Sequence, residues 1–413
     1  ESAEREPAWS PDGRFVSYFS DAGGEYRLVI EAQDGLAPPR EIPLEKPTRY
    51  YSPAWSPDST KLLYTDTNLQ VWVLDVVTGK AKIVGRDPWM VPQRTLAPSW
   101  SPDSRWVAFA SRLDTLYRAI VIANADTGQQ RQITDGLADA MYPVWDASGK
   151  YLWFLASTDL GLRSQWLDMT SYEHLQTFGL YVAVLRKGEP SPTLPESDED
   201  AGVGAKIEPT PLVGSSAPVT IDFEGLQQRV IAVPNVPERQ YARLVAGTAG
   251  SVFYLEAPPV AERGGTPPTT GSTLRRYRLS DRTSVGFATN VGDYAVSADG
   301  KKLVYRTPSR PAPEGGGEAT PPALYLVDAD GAVPVAGAGR LNATLRMQLD
   351  PKAEFRQIYS EGWRYQRDYL YVANQHGADW PAMKKRYGAL LPDVRHRADL
   401  TYLLDMMGGE IAI

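Results

Sequence analysis

The sequence predicts a mainly β protein: a β-propeller of six to seven four-stranded blades followed by a small α-helical subdomain. Three observations carry this expectation. A turn motif recurs about every 45 residues, short alternating strands flank each copy, and the hydrophobic period switches from 2 to about 3.6 after residue 350.

The recurring unit reads Pro7-Ala8-Trp9-Ser10-Pro11-Asp12-Gly13-Arg14, then Pro53-Ala54-Trp55-Ser56-Pro57-Asp58-Ser59-Thr60. It returns as Pro98-Ser99-Trp100-Ser101-Pro102-Asp103-Ser104-Arg105 and, weakened, as Pro143-Val144-Trp145-Asp146-Ala147-Ser148-Gly149-Lys150. The Trp-to-Trp intervals are 46, 45 and 45, and a fifth copy without the Trp runs from Val296 to Lys301. Pro presets φ near −65° for a tight turn, Asp bonds back to its own backbone, and Gly takes the position with φ > 0. Alternating strands follow, such as 15–20 and 61–65, then a third strand such as 70–75 ending at Thr78-Gly79, and a fourth through 82–84. Four short strands per ~45 residues are the signature of a propeller blade. The Trp is expected to fill the space between neighbouring blades rather than to stack on a ligand.

Six units are counted. The fourth carries a long insertion before its last strand, placed at 219–223. The fifth runs through 244–255 and 274–285; the sixth holds 294–305 and 323–327 and closes near 346–349. Glu1 falls almost at a repeat boundary and is not Met, so a piece of a longer polypeptide is expected, with room for a seventh blade upstream. Pro/Gly-rich segments at 188–218, 258–272 and 308–322 bury little apolar surface and read as surface loops. The acidic run Glu196 to Asp200 lacks the alternation and glycine of a calcium loop and reads as solvated charge.

After Pro351, Phe355, Ile358, Tyr359, Trp363, Gln366 and Leu370 fall on one face of a helix expected over 353–371. A second helix is expected from Asp379 as N-cap, with Pro381 in its first turn, to Leu391. A third, over 398–407, buries Leu400, Leu403, Leu404 and Met407 and stops at Gly408-Gly409. The expected division is therefore residues 1–350 for the propeller and 351–413 for the helical subdomain.

Composition excludes several function classes. With 413 residues, 42% hydrophobic and carrying 11 Trp, 22 Tyr and 9 Phe, the chain has ample material for a packed core. No stretch approaches the ~18 consecutive apolar residues of a spanning helix, so a soluble chain without a membrane partner is expected. The 43 Lys and Arg against 50 Asp and Glu give −7, and no basic stripe points to nucleic acid. Without cysteine, thiol catalysis, disulfides and Cys-based zinc sites are impossible. No HExxH, GxSxG or P-loop occurs.

The run Glu361-Gly362-Trp363-Arg364-Tyr365-Gln366-Arg367-Asp368-Tyr369-Leu370-Tyr371 resembles the helix that opens the first catalytic subdomain of tricorn protease and its bacterial homologues. His376-Gly377-Ala378-Asp379-Trp380, Tyr387, Leu390-Leu391-Pro392 and Asp399 to Ile411 keep to the same pattern in order and spacing. The propeller, the acidic loop and the segment 222–230 are similar too, so the resemblance covers nearly the whole chain. It implies a large serine oligopeptidase in which two propellers precede a split core with an inserted PDZ domain. This chain corresponds to the second propeller and a truncated first core subdomain. The resemblance also implies a homo-oligomer, commonly a hexamer, a cytoplasmic setting with the periplasm as the other possibility, and an axial channel admitting peptide substrates while excluding folded proteins.

The family's catalytic His follows the segment aligned with Gly409-Glu410-Ile411, about where this sequence stops, and the nucleophilic Ser lies further downstream. No catalytic residue is therefore assigned here, because acyl transfer needs nucleophile, base and oxyanion donors together. His376 is read as part of a helix-linking turn, His396 as exposed between Arg395 and Arg397, and His174 as no metal ligand. No metal and no cofactor are expected. Arg49 and Arg94 each stand six residues before a blade Trp and are the candidate channel-rim cations for peptide carboxylates, against ordinary solvated rim charges. Asn342-Ala343-Thr344 matches a glycosylation acceptor with nothing else to support it. The expected function is the gating and scaffold part of a peptidase, inactive alone. The rivals are a non-enzymatic TolB-like binding propeller and a prolyl-oligopeptidase relative continuing into GxSxG.

Overall fold

The computed structural model describes residues 2–89, 96–159, 176–194, 218–258, 271–309, 320–343 and 346–411. Its strands form six antiparallel sheets of four, each in simple sequence order, making a six-bladed β-propeller followed by helices. The first blade holds β1 (Glu4–Trp9), β2 (Phe15–Ser20), β3 (Arg27–Ala32) and β4 (Arg40–Pro43). The second holds β5 (Tyr50–Trp55), β6 (Lys61–Asp66), β7 (Gln70–Asp75) and β8 (Ala81–Arg86). In the third are β9 (Ser99–Trp100), β10 (Trp106–Arg112), β11 (Arg118–Asn124) and β12 (Gln130–Gln132). The fourth comprises β13 (Asp139–Trp145), β14 (Tyr151–Ser157), β15 (Gly179–Val184) and β16 (Val230–Ala232). The fifth has β17 (Tyr241–Ala246), β18 (Ser251–Glu256), β19 (Ser272–Arg278) and β20 (Thr283–Val291). Completing the set are β21 (Asp293–Val296), β22 (Lys302–Arg306), β23 (Leu324–Asp328) and β24 (Arg340–Leu341).

The repeat motif makes the turn between the first two strands of a blade. Ser10 Oγ donates to Asp12 Oδ1 at 2.5 Å and accepts the Phe15 amide at 2.9 Å, and the same pair recurs in Ser56–Asp58, Ser101–Asp103 and Ser297–Asp299. The following residue is left-handed in every copy: Gly13, Ser59, Ser104, Gly149 and Gly300 have φ between +59° and +72°. The fourth copy exchanges the two partners, with Asp146 at the serine position and Ser148 at the aspartate position. Asp146 Oδ1 takes the Ser148 donors. Its Oδ2 is thereby freed to accept the amide of Gly250, which precedes β18, at 2.8 Å and Trp153 Nε1 at 3.2 Å. Burial raises this carboxyl's pKa.

The chain divides into two compact units, residues 1–53, 64–68 and 344–413 in one and 54–63 and 69–343 in the other. In the larger unit, adjacent sheets bury their faces against one another. Ile120 and Ile122 meet Leu152 and Phe154 between the third and fourth blades, and Val182 and Trp153 meet Val252 and Tyr254 between the fourth and fifth. Two repeat indoles bridge blades, Trp100 Nε1 donating to Ala54 O at 3.0 Å and Trp145 Nε1 to Ser99 O at 3.3 Å, whereas Trp9, expected to fill such a space, is 61% exposed. Two buried ion pairs add to this, Arg112–Asp87 at 2.6 Å and Arg118–Asp139.

The smaller unit holds the first blade and three helices, α1 (Pro351–Tyr369), α2 (Trp380–Gly388) and α3 (Arg397–Gly408). Asp350 caps α1 through the amides of Lys352 and Ala353, and Asp379 caps α2 through Ala382. Tyr359, Trp363, Trp380, Tyr387, Leu400, Leu403 and Met407 form their common core, with Leu404 partly buried beside it.

Two strand assignments differ from expectation. Residues 219–223 are irregular, because the Val219 amide goes to Asp103 and the Asp222 amide to Leu185 O; the fourth strand of that blade is β16, paired with β15. The sixth blade closes with β24, not 346–349: Leu341 pairs with Leu324, and Gly337 and Gly339, both at φ > 0, turn the chain back to meet β23.

Candidate functional site

The densest polar assembly is where α1 meets the turn between β2 and β3 of the first blade. On α1, Gln357, Glu361, Arg364 and Asp368 recur at helical spacing and make a polar stripe beside the apolar stripe of Tyr359 and Trp363. Asp21 directly follows β2 and is buried; its Oδ1 accepts the Ala3 amide at 2.8 Å, and its Oδ2 accepts Gln357 Nε2 at 2.5 Å and Arg364. The Arg364 side chain is 4% exposed, and besides Asp21 it donates to Gly24 O at 2.6 Å and Glu361 at 3.3 Å. The planar guanidinium suits three acceptors converging on one edge.

Glu361 is shared. It accepts Arg5 at 2.6 Å and the Tyr26 hydroxyl, which in turn accepts Arg5 Nε at 2.9 Å. Burial, then the bond to Glu361, pushes the Tyr26 phenol up. Further along α1, Arg367 grips both oxygens of Glu25, at 2.6 and 2.9 Å, and Asp368 at 2.7 Å. Those carboxylates outweigh burial and raise the Arg367 pKa, whereas burial raises that of Asp368. Trp363 and Trp380 exchange indole-to-carbonyl hydrogen bonds at 2.9 and 3.0 Å, fixing α2 on α1.

Arg49 joins this assembly. Its guanidinium lies 5.5 Å from the Tyr51 ring and 5.2 Å from that of Tyr365, and Nη1 donates to Tyr365 Oη at 2.8 Å. Arg94, His174, the acidic run 196–200 and Thr344 lie outside the described residues. His376 is exposed in a left-handed turn with its ring 5.3 Å from Tyr371, and exposed His396 precedes α3. Among the described residues no group of three His, Asp or Glu is placed to hold a metal ion. No described helix is long and apolar enough to cross a membrane. The chemistry of this site is therefore mechanical: buried, hydrogen-bonded charge that holds a helix in one orientation. Sequence reasoning missed it, although Glu361, Arg364, Arg367 and Asp368 on an otherwise amphipathic helix were the available signal.

Comparisons with known proteins bear on what this helix belongs to. The tricorn protease second beta propeller domain matches residues 3–312, and the tricorn protease C1 domain matches 351–409. Tricorn protease homolog 1 of Streptomyces coelicolor is 26% identical over 412 residues, covering 96% of this chain and 37% of that protein. The tricorn protease homolog of Saccharolobus solfataricus is 22% identical over 391 residues, covering 94% and 33%. The crystal structure of the tricorn protease shares the fold with a TM-score of 0.69 at 18% identity, over 98% of this chain and 37% of that one. This chain thus spans about a third of these relatives' length. With a second-propeller match over 3–312 followed by a C1 match over 351–409, the chain belongs to the tricorn protease family.

Proposed function

We propose that this chain is the substrate-gating propeller, residues 1–350, and the core scaffold, residues 351–413, of a serine peptidase that degrades oligopeptides. The observation that carries the reading is the succession of a second-propeller match at 3–312 and a C1 match at 351–409 on one polypeptide. Sheets arranged radially around a passage exclude a folded domain by width alone and admit an extended chain. Arg49 and Arg94 are the proposed rim cations, and the aromatic contacts of Arg49 fix its charge in place. Peptide substrates, assembly into a homo-oligomer such as a hexamer, and a cytoplasmic setting belong to the same proposal.

In this reading the catalytic group lies elsewhere in the full-length protein, since acyl transfer needs nucleophile, base and oxyanion donors together. Incubating the full-length protein and this chain in parallel with chromogenic peptides tests the division of labour. The expected outcome is cleavage by the full-length protein alone, abolished by an active-site-serine reagent. Serine-dependent cleavage by this chain alone overturns the proposal.

A further inference from the structure

A cleft of about 260 Å³ opens beside the Asp21–Arg364 contact, lined by Asp21, Arg356, Gln357, Ser360, Arg364 and Lys384 among others. Three cations thus face one carboxylate, and that carboxylate is already taken by Arg364, Gln357 and the Ala3 amide. The neighbouring acids are likewise engaged, Glu361 with Arg5, Tyr26 and Arg364, and Glu25 with Arg367. Among the described residues neither Arg356 nor Lys384 has a carboxylate within ion-pair distance, although Glu25 acts on Lys384 from further off, and the Ser360 hydroxyl has no hydrogen bond. Lys384 Nζ rests 4.4 Å from the Trp363 ring centroid instead. Arg364, in the wall, keeps its Nε buried without an acceptor. Burial, then the adjacent Arg364 guanidinium, lowers the Lys384 pKa and outweighs the opposing pull of the Glu25 carboxylate.

Two cations without ion pairs beside a third that is paired, in a half-enclosed space, create a positive potential that an anion relieves, and charge-assisted hydrogen bonds to oxyanions are the strong ones. We propose that this cleft binds a small oxyanion, either the free carboxylate of a peptide or inorganic phosphate. Arg356, Ser360 and Lys384 supply the direct donors, and Arg364 supplies field from behind. This reading does not depend on peptidase activity and stands or falls separately from it.

The whole chain is titrated calorimetrically at fixed ionic strength with sodium phosphate in one arm. In another arm it is titrated with N-acetyl-dialanine as free acid and as its amide. Saturable binding of phosphate, of the free acid, or of both is expected, with none of the amide; which arm responds identifies the anion's source. Arg356→Gln and Lys384→Gln each weaken binding about tenfold, the scale of one charge-assisted hydrogen bond, and the double variant removes it. Both positions lie on helix surfaces, and an unchanged circular-dichroism melt without anion confirms folding. Absence of saturable heat, equal binding of acid and amide, or undiminished binding by the folded double variant overturns the proposal.

Discussion

Trp145 and Trp9 occupy the same place in the repeat and meet different surroundings. Trp145 is 2% exposed, sits in the core between the third and fourth blades and donates to Ser99 O, whereas Trp9 is 61% exposed. Trp145→Ala is therefore expected to cost about 3–5 kcal/mol. Trp9→Ala should stay within about 0.5 kcal/mol, as for other surface changes. Urea unfolding of the two variants checks this, and equal losses refute the assignment of the indole as inter-blade packing. A second residue-scale outcome concerns Asp139, buried against Arg118, whose guanidinium and backbone amide both donate to it. Burial pushes its carboxyl up, but Arg118 wins and holds it below the ordinary 3.8. Its contribution is therefore complete above the unfolded value and is lost as pH falls through the lower folded one. Between pH 5 and pH 2, the stability of the natural chain should fall more steeply than that of Asp139→Asn, which at pH 7 is already weakened by about 3 kcal/mol. Parallel slopes in urea midpoint against pH contradict the pairing.

At the scale of the element, α1 carries two stripes with different jobs. Its aromatic stripe builds the helical core, and its charged stripe grips the β2–β3 turn of the first blade. Arg364→Ala leaves Asp21 buried beside only neutral donors, which should cost about 3–5 kcal/mol. Adding Asp21→Ala should cost much less than its own single change, with a coupling of about 1–3 kcal/mol in the double-mutant cycle. Simple additivity shows that the two do not act as one contact. What could be read in advance at this scale divides along physical lines. The start of α2 was legible because Asp379 caps it with local chemistry, and α1, expected over 353–371 from its period, runs from Pro351 to Tyr369. The edge strands β16 and β24 were not, since strands of two or three residues are decided by what they pair with rather than by their own pattern. The contact of Arg364 with Asp21 spans 343 positions of sequence, and no local periodicity points across such a distance.

For the whole molecule, blades and family were legible because both are written in repeated or contiguous residues: the Trp-centred turn and the run from Glu361 to Tyr371. Why the first blade shares a compact unit with the terminal helices was not legible; the buried Arg364–Asp21 pair and the half-exposed Arg367–Glu25 pair join them. This joint has a consequence for the proposed full-length peptidase. If the helices are one side of a catalytic core, their orientation depends on Arg364 reaching Asp21, Gly24 and Glu361 with one planar group. Lysine at that position keeps the charge but its three donors radiate from one nitrogen rather than from a planar fork, so it cannot hold the three acceptors in the same geometry. Misplacement of a reacting group by about 1 Å costs on the order of a hundredfold in rate while leaving remote peptide contacts intact. In the full-length protein, Arg364→Lys is thus expected to lower kcat by about tenfold to a hundredfold with KM little changed. A purely stabilising joint gives a different pattern: a lower thermal midpoint, with kcat per folded molecule equal to that of the natural protein. Steady-state kinetics on short peptides, normalised to the active-site-serine titre, distinguish the two, and an unaltered kcat removes the joint from catalysis.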